Sequence, residues 1–252
     1  MKIVVFDVWR NNDRAEFSVC VRALQRRGFD VLDLYLPPQE FASMDQWCAA
    51  LMGRLSQEVD LAHESVALLG FCAGGRVALE IATLLRATSS SAAFVGLIET
   101  WIRSPITELN RDLYRRYRVR PNVWVRQQLI WAAITPGGTF GQLLKAQFDS
   151  IVARIRRGSV GSQPATVPDL EWTLMNFTHN RMVRVMDEHI HLFNTGDSIV
   201  EQSNDSSLGL APYLRAGFTV HRLAGEHHTC TKLPHQDGLL DAVVKALGTV
   251  ES

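Results

Sequence analysis

Hydrophobic and polar positions in the first hundred residues follow two alternating rhythms. Residues 2–6 form an apolar run closed by Asp7, the pattern of a buried strand. Residues 14–27 place apolar side chains at 17, 19, 21 and 24, a helical spacing that Gly28 ends. Residues 31–36 alternate as a strand does and stop at Pro37 and Pro38, and Ser43 is placed to cap a helix over 44–59. A strand at 66–69, a helix at 75–85 and a strand at 94–98 continue the series. Strands and helices that alternate in this way predict an α/β fold, a mostly parallel, doubly wound sheet with helices on both faces.

The alternation stops near Ile102. Helix-like stretches at 106–117, 122–133 and 140–157 follow, then a loop-rich segment at 158–168. Strand patterns return at 189–194 and 218–223, and a last helix is predicted over 238–247. The expected organisation is a core built from residues 1–101 and 188–252, with residues 102–187 inserted as a helical lid or as a second packed subdomain.

Composition narrows the class. The chain has 252 residues, 46% of them hydrophobic, with 26 basic residues against 26 acidic, so nothing in the overall balance argues for nucleic acid or a membrane surface as partner. The balance is local, however: residues 101–187 carry thirteen Lys and Arg against six Asp and Glu. Asp7 interrupts the opening apolar run too early for a signal peptide, and no apolar stretch is long enough to span a bilayer. Cys20, Cys48, Cys72 and Cys230 are scattered without CxxC spacing, which suits reduced thiols in a cytoplasmic protein. No metal site is expected.

The chemistry-bearing stretch is Gly70-Phe71-Cys72-Ala73-Gly74, between a predicted strand and a predicted helix. A nucleophile at such an apex sits at the carboxyl edge of the sheet, and flanking glycines let the chain turn sharply. The Ala73 N–H, at the helix N-terminus, then faces the reacting centre and can stabilise an oxyanion. A small buried cysteine in a tight turn is the plainer alternative. A nucleophilic thiol needs a base, and Gly225-Glu226-His227-His228 lies between the last strand and the last helix, where an α/β hydrolase carries its histidine. The remaining histidines, at 63, 179, 189, 191, 221 and 235, read as structural or solvated. Two acids end predicted strands: Glu99 and Asp197.

These residues resemble the α/β-hydrolase thioesterase domains that release products from non-ribosomal peptide and polyketide synthases. LLGFCAGG is similar to the family's strand and elbow, with Cys72 where serine is usual; VGLIETW is similar to the strand bearing its acid, here Glu99; AGEHHT is similar to its G-x-H loop and makes His227 the base. NRMVRVMDEHIHLFNTGD resembles the stretch leading out of the lid. The family's loop after the first strand supplies a second oxyanion N–H. Here that loop is Asp7-Val8-Trp9-Arg10-Asn11-Asn12, without its usual glycine and proline, and Trp9 takes the position.

The resemblance implies an enzyme with no cofactor of its own, acting on acyl chains held on the phosphopantetheine of an acyl or peptidyl carrier protein. Free-standing cysteine relatives include the Dieckmann cyclases, so the implied reaction is transfer of the acyl chain to Cys72 and release by cyclisation. Hydrolytic release or editing is the alternative, followed by a dienelactone hydrolase-like enzyme and a non-catalytic binding member of the superfamily. The basic excess of the insertion, Arg115, Arg116 and Arg118 in particular, would suit an acidic carrier protein, although solvated helix faces account for such charges equally well.

Overall fold

The computed structural model describes residues 1–8, 17–100, 174, 177, 184–195, 206–227 and 229–249. Strand β1 (Lys2–Phe6) leads to helix α1 (Ser18–Arg26), β2 (Val31–Asp33), α2 (Met44–Glu58), β3 (Val66–Phe71), α3 (Ala73–Ala87) and β4 (Ala92–Ile98). After the insertion come β5 (Ile190–Thr195), β6 (Phe218–Leu223) and α4 (Gln236–Gly248). The strands form one sheet in the order β2-β1-β3-β4-β5-β6, every pairing parallel.

The period-two alternation of the strands decides which helix covers which face. Val4 and Phe6 of β1, Leu68 of β3, Val95 and Leu97 of β4 and Ile190 and Leu192 of β5 point into a core shared with α2 and α3. Ile3 and Val5, Ala67 and Leu69, Phe94 and Ile98, and Phe193 point to the other face, against α1 and α4. Burying each such aliphatic or aromatic side chain contributes roughly 1.5–3 kcal/mol, so both layers are strongly specified. Ser43 caps α2 as its sequence suggests, its Oγ accepting the Gln46 N–H.

Element ends differ from the sequence pattern for local reasons. β3 extends through Gly70 and Phe71 because those residues still pair with β1 and β4. α3 begins at Ala73, inside the glycine cluster, because Cys72 itself makes the turn. The chain divides into two units, Met1–Arg103 with Pro168–Ser252, and Ser104–Val167; the second lies outside the described residues. Leu174, Phe177 and Met186, which the sequence pattern assigns to the end of the insertion, are buried in the α2–α3 core, with Phe177 against Trp47 at 6.1 Å between ring centroids. Arg86 on α3 holds the approach to β5 through Asp187 at 2.6 Å and the Val185 carbonyl at 3.2 Å. No helix of the described residues is long and apolar enough to cross a membrane.

Candidate active site

Three loops meet at the carboxyl edge of the sheet. The first is the apex between β3 and α3, where Cys72 has φ 53° and ψ −118°. A non-glycine residue held there costs on the order of 1–3 kcal/mol, so the surroundings must impose it. The three glycines around it show how. A Cβ on Gly70 would overlap the Gly74 carbonyl, one on Gly74 would overlap the Phe6 carbonyl, and one on Gly75 would overlap the Thr100 hydroxyl. Gly70 and Gly74 are thus required by close backbone approach and Gly75 by the Thr100 side chain, none of them by its own φ. The Cys72 N–H donates to the Ile98 carbonyl at 2.9 Å, and its carbonyl accepts from the Gly75 N–H at 3.1 Å. Its thiol is half-buried, whereas Cys20, Cys48 and Cys230 are buried. Burial pushes the Cys20 thiol up to about 12, the condition of an inert core cysteine.

The second loop follows β4. Glu99 also has positive φ, 48°, and its side chain is wholly buried. One carboxylate oxygen, Oε1, accepts the Thr195 backbone N–H at the end of β5, and the other, Oε2, lies 3.2 Å from His227 Nδ1. A buried carboxylate is tolerable because both oxygens are engaged. The third loop, between β6 and α4, carries His227. Its ring stacks on Phe71 with centroids 5.2 Å apart and hydrogen-bonds the Cys72 thiol. With Nδ1 on Glu99, Nε2 is the nitrogen left for the thiol. The structure therefore brings together Cys72, His227 and Glu99, in that contact order.

Burial alone would lower the pKa of His227, but the hydrogen bonds and charges of Cys72 and Glu99 outweigh it and raise the imidazole to about 9 from its ordinary 6.5. The folded protein binds this proton more tightly than the unfolded chain does. Its stabilising contribution, about 3 kcal/mol, is therefore complete below pH 6.5 and lost as pH rises through about 9. The wild-type urea midpoint is expected to fall over that window, and His227→Gln is expected to flatten the fall. An unchanged slope in the variant would assign the pH dependence elsewhere.

Other sequence expectations divide clearly. Ala73 is the first residue of α3, so its N–H is one of the first-turn donors that a helix leaves unbonded internally. Trp9, Asp197, His228, Arg115, Arg116 and Arg118 lie outside the described residues. His191 and His221, read as structural or solvated, form a stacked pair on the α4 face, with His191 Nδ1 3.0 Å from His221 Nε2. Burial and the neighbouring His221 and His189 hold His191 down to about 4, the behaviour of a neutral core histidine. Among the described residues no cluster of three or more His, Cys, Asp or Glu could hold a metal ion. Sequence reasoning missed the Thr195 N–H, the Phe71 ring and Thr100, whose hydroxyl reaches the Cys72 carbonyl at 3.1 Å. None of these has a local sequence signal, since each acts through a contact between distant chain segments or with its backbone or ring.

Comparison with known proteins fits this geometry. The thioesterase-domain family matches residues 4–116, the stretch that carries the elbow and Glu99. The NocB thioesterase domain from the nocardicin cluster superposes with a TM-score of 0.61 at 15% identity, covering 98% of this chain and 93% of that one. The fold is that of the thioesterase α/β hydrolases. The type II thioesterase BorB from the borrelidin biosynthetic cluster shares this thioesterase fold, with a TM-score of 0.56 at 18% identity over 97% of this chain and 89% of that one. In sequence, enterobactin synthase component F of Escherichia coli K12 is 38% identical over 65 residues, which is 26% of this chain but only 5% of that protein.

Proposed function

We propose that the protein is a thioesterase-like acyltransferase of polyketide or non-ribosomal peptide biosynthesis that takes an acyl chain from a carrier-protein thioester onto Cys72. The observation that carries this reading is the chain of contacts from a thiol on a positive-φ apex, to the His227 imidazole, to the buried Glu99 carboxylate. With the thiol proton already held on His227, the Cys72 Sγ attacks the thioester carbonyl, and the Ala73 and Trp9 N–H groups hold the oxyanion. Collapse breaks the bond to the pantetheine sulfur, which leaves with the proton held on His227. The acyl group is then a thioester on Cys72. No cofactor of the protein takes part, and Arg115, Arg116 and Arg118 supply basic charge for the acidic carrier protein.

A thioester intermediate bears on the second half of the reaction. Transfer from one thiol to another is nearly isoenergetic, and the acyl carbon stays electrophilic enough for a carbon or nitrogen nucleophile. We therefore favour release by attack from within the acyl chain, a Dieckmann-type or lactam- or lactone-forming closure, with His227 removing the proton of the attacking group. Hydrolysis, with water in that place, is the second reading, and the likeness to a type II thioesterase supports it. A pantetheine thioester that carries an internal nucleophile separates them, because the cyclised product is lighter than the free acid by one water. Cyclised product as the main species is expected; the acid alone would establish hydrolysis instead.

A further inference from the structure

We propose that Thr100 is a positioning residue for Cys72, tying the acid loop to the nucleophile apex; the inference rests on the reading of Cys72 as the nucleophile. The Thr100 side chain is fully buried, and its hydroxyl lies 3.1 Å from the Cys72 carbonyl and 3.2 Å from the Ile98 carbonyl. A hydroxyl has a single proton, so it is shared between these two acceptors. The Ile98 carbonyl in turn accepts the Cys72 N–H at 2.9 Å. Both peptide groups of Cys72 are therefore held by residues 98 and 100, while residue 99 between them holds His227. Thiol, base and acid share one three-residue clamp.

The third glycine of the apex supports this independently. A side chain at Gly75 would overlap the Thr100 hydroxyl, so this glycine makes room for Thr100 beside the turn. Gly75 also donates its N–H to the Cys72 carbonyl at 3.1 Å, so that carbonyl accepts from two donors. Removing the hydroxyl leaves ψ of Cys72 less firmly set, and the thiol shifts relative to His227. Rates of acyl transfer are steep in such displacements, about a hundredfold for a shift near 1 Å.

Thr100→Val removes the hydroxyl and keeps the shape; Thr100→Ser keeps the hydroxyl. In a burst assay with a pantetheine thioester, burst amplitude reports the fraction of folded sites and burst rate reports the chemistry at each site. Thr100→Val is expected to slow the burst on the order of 10–100-fold with KM little changed and amplitude near wild type. Thr100→Ser is expected to return within about threefold of wild type, since it restores the lost contact. Should the Val variant not fold, Thr100→Ala with Thr100→Ser makes the same comparison. A wild-type burst rate in the Val or Ala variant, or a Ser variant as slow as they are, overturns the proposal. A wild-type protein that forms no acyl-enzyme at all overturns the reading of Cys72 instead.

Discussion

Cys72→Ala is expected to lower turnover of a pantetheine thioester on the order of 10⁴–10⁶-fold while leaving the fold intact. The fold expectation follows from the apex: its geometry is imposed by Gly70, Gly74 and Gly75 and by the hydrogen bonds of the Cys72 backbone, none of which the substitution removes. The rate expectation follows from the absence of any substitute. Cys20, Cys48 and Cys230 are buried, and Cys20 is held as a neutral thiol by that burial, so none of them can take over attack. Steady-state kinetics with far-ultraviolet circular dichroism as the control make the check. Turnover within tenfold of wild type in a folded variant would remove Cys72 from the mechanism.

Glu99→Gln is expected to cost on the order of 10²–10⁴-fold in the rate of Cys72 acylation, with much smaller changes in stability. The Gln carbonyl oxygen can still accept the Thr195 N–H that binds Oε1 now. The other end then offers an amide N–H to His227 Nδ1 in place of a carboxylate oxygen. The ring responds by placing its own proton on Nε2, toward the thiol, where it cannot act as a base. Loss of the carboxylate also removes one of the interactions that raise His227 to about 9, so the imidazole pKa falls. The pH profile of Cys72 alkylation by iodoacetamide reads this directly: its basic-side dependence is expected to move to lower pH in the variant. A profile and an acylation rate equal to wild type would leave Glu99 with a purely structural role.

How much of this the chain announces depends on whether a contact is local. The sheet is legible because buried parallel strands are nearly continuous apolar runs, as at Val66–Phe71 and Ala92–Ile98. Cys72 and Glu99 are legible because they end strands at one edge of a parallel sheet, where Cys72 also has glycines at fixed offsets. The choice between His227 and His228 is not contained in the local residues and needs the family pattern. Thr100 carries no signal of its own in the sequence. Its role appears only when β4 is laid beside β3, which brings its hydroxyl to a carbonyl 28 positions away. The same holds for the Thr195 N–H, which the β4–β5 pairing carries to Glu99 from 96 positions along the chain. The insertion is the reverse case: its length is plain in sequence, yet Leu174 and Phe177 belong to the core of the sheet. Periodicity reports that a residue is apolar without saying which unit buries it.

The central claim is that the acyl chain passes through a covalent bond to Cys72. Wild-type protein mixed with a pantetheine thioester, quenched in acid during the burst and weighed intact tests it most directly. The account predicts a species heavier by one acyl group, with the added mass on the peptide containing Cys72 and absent in Cys72→Ala. Turnover without any such species, or with the acyl group on another residue, would contradict it.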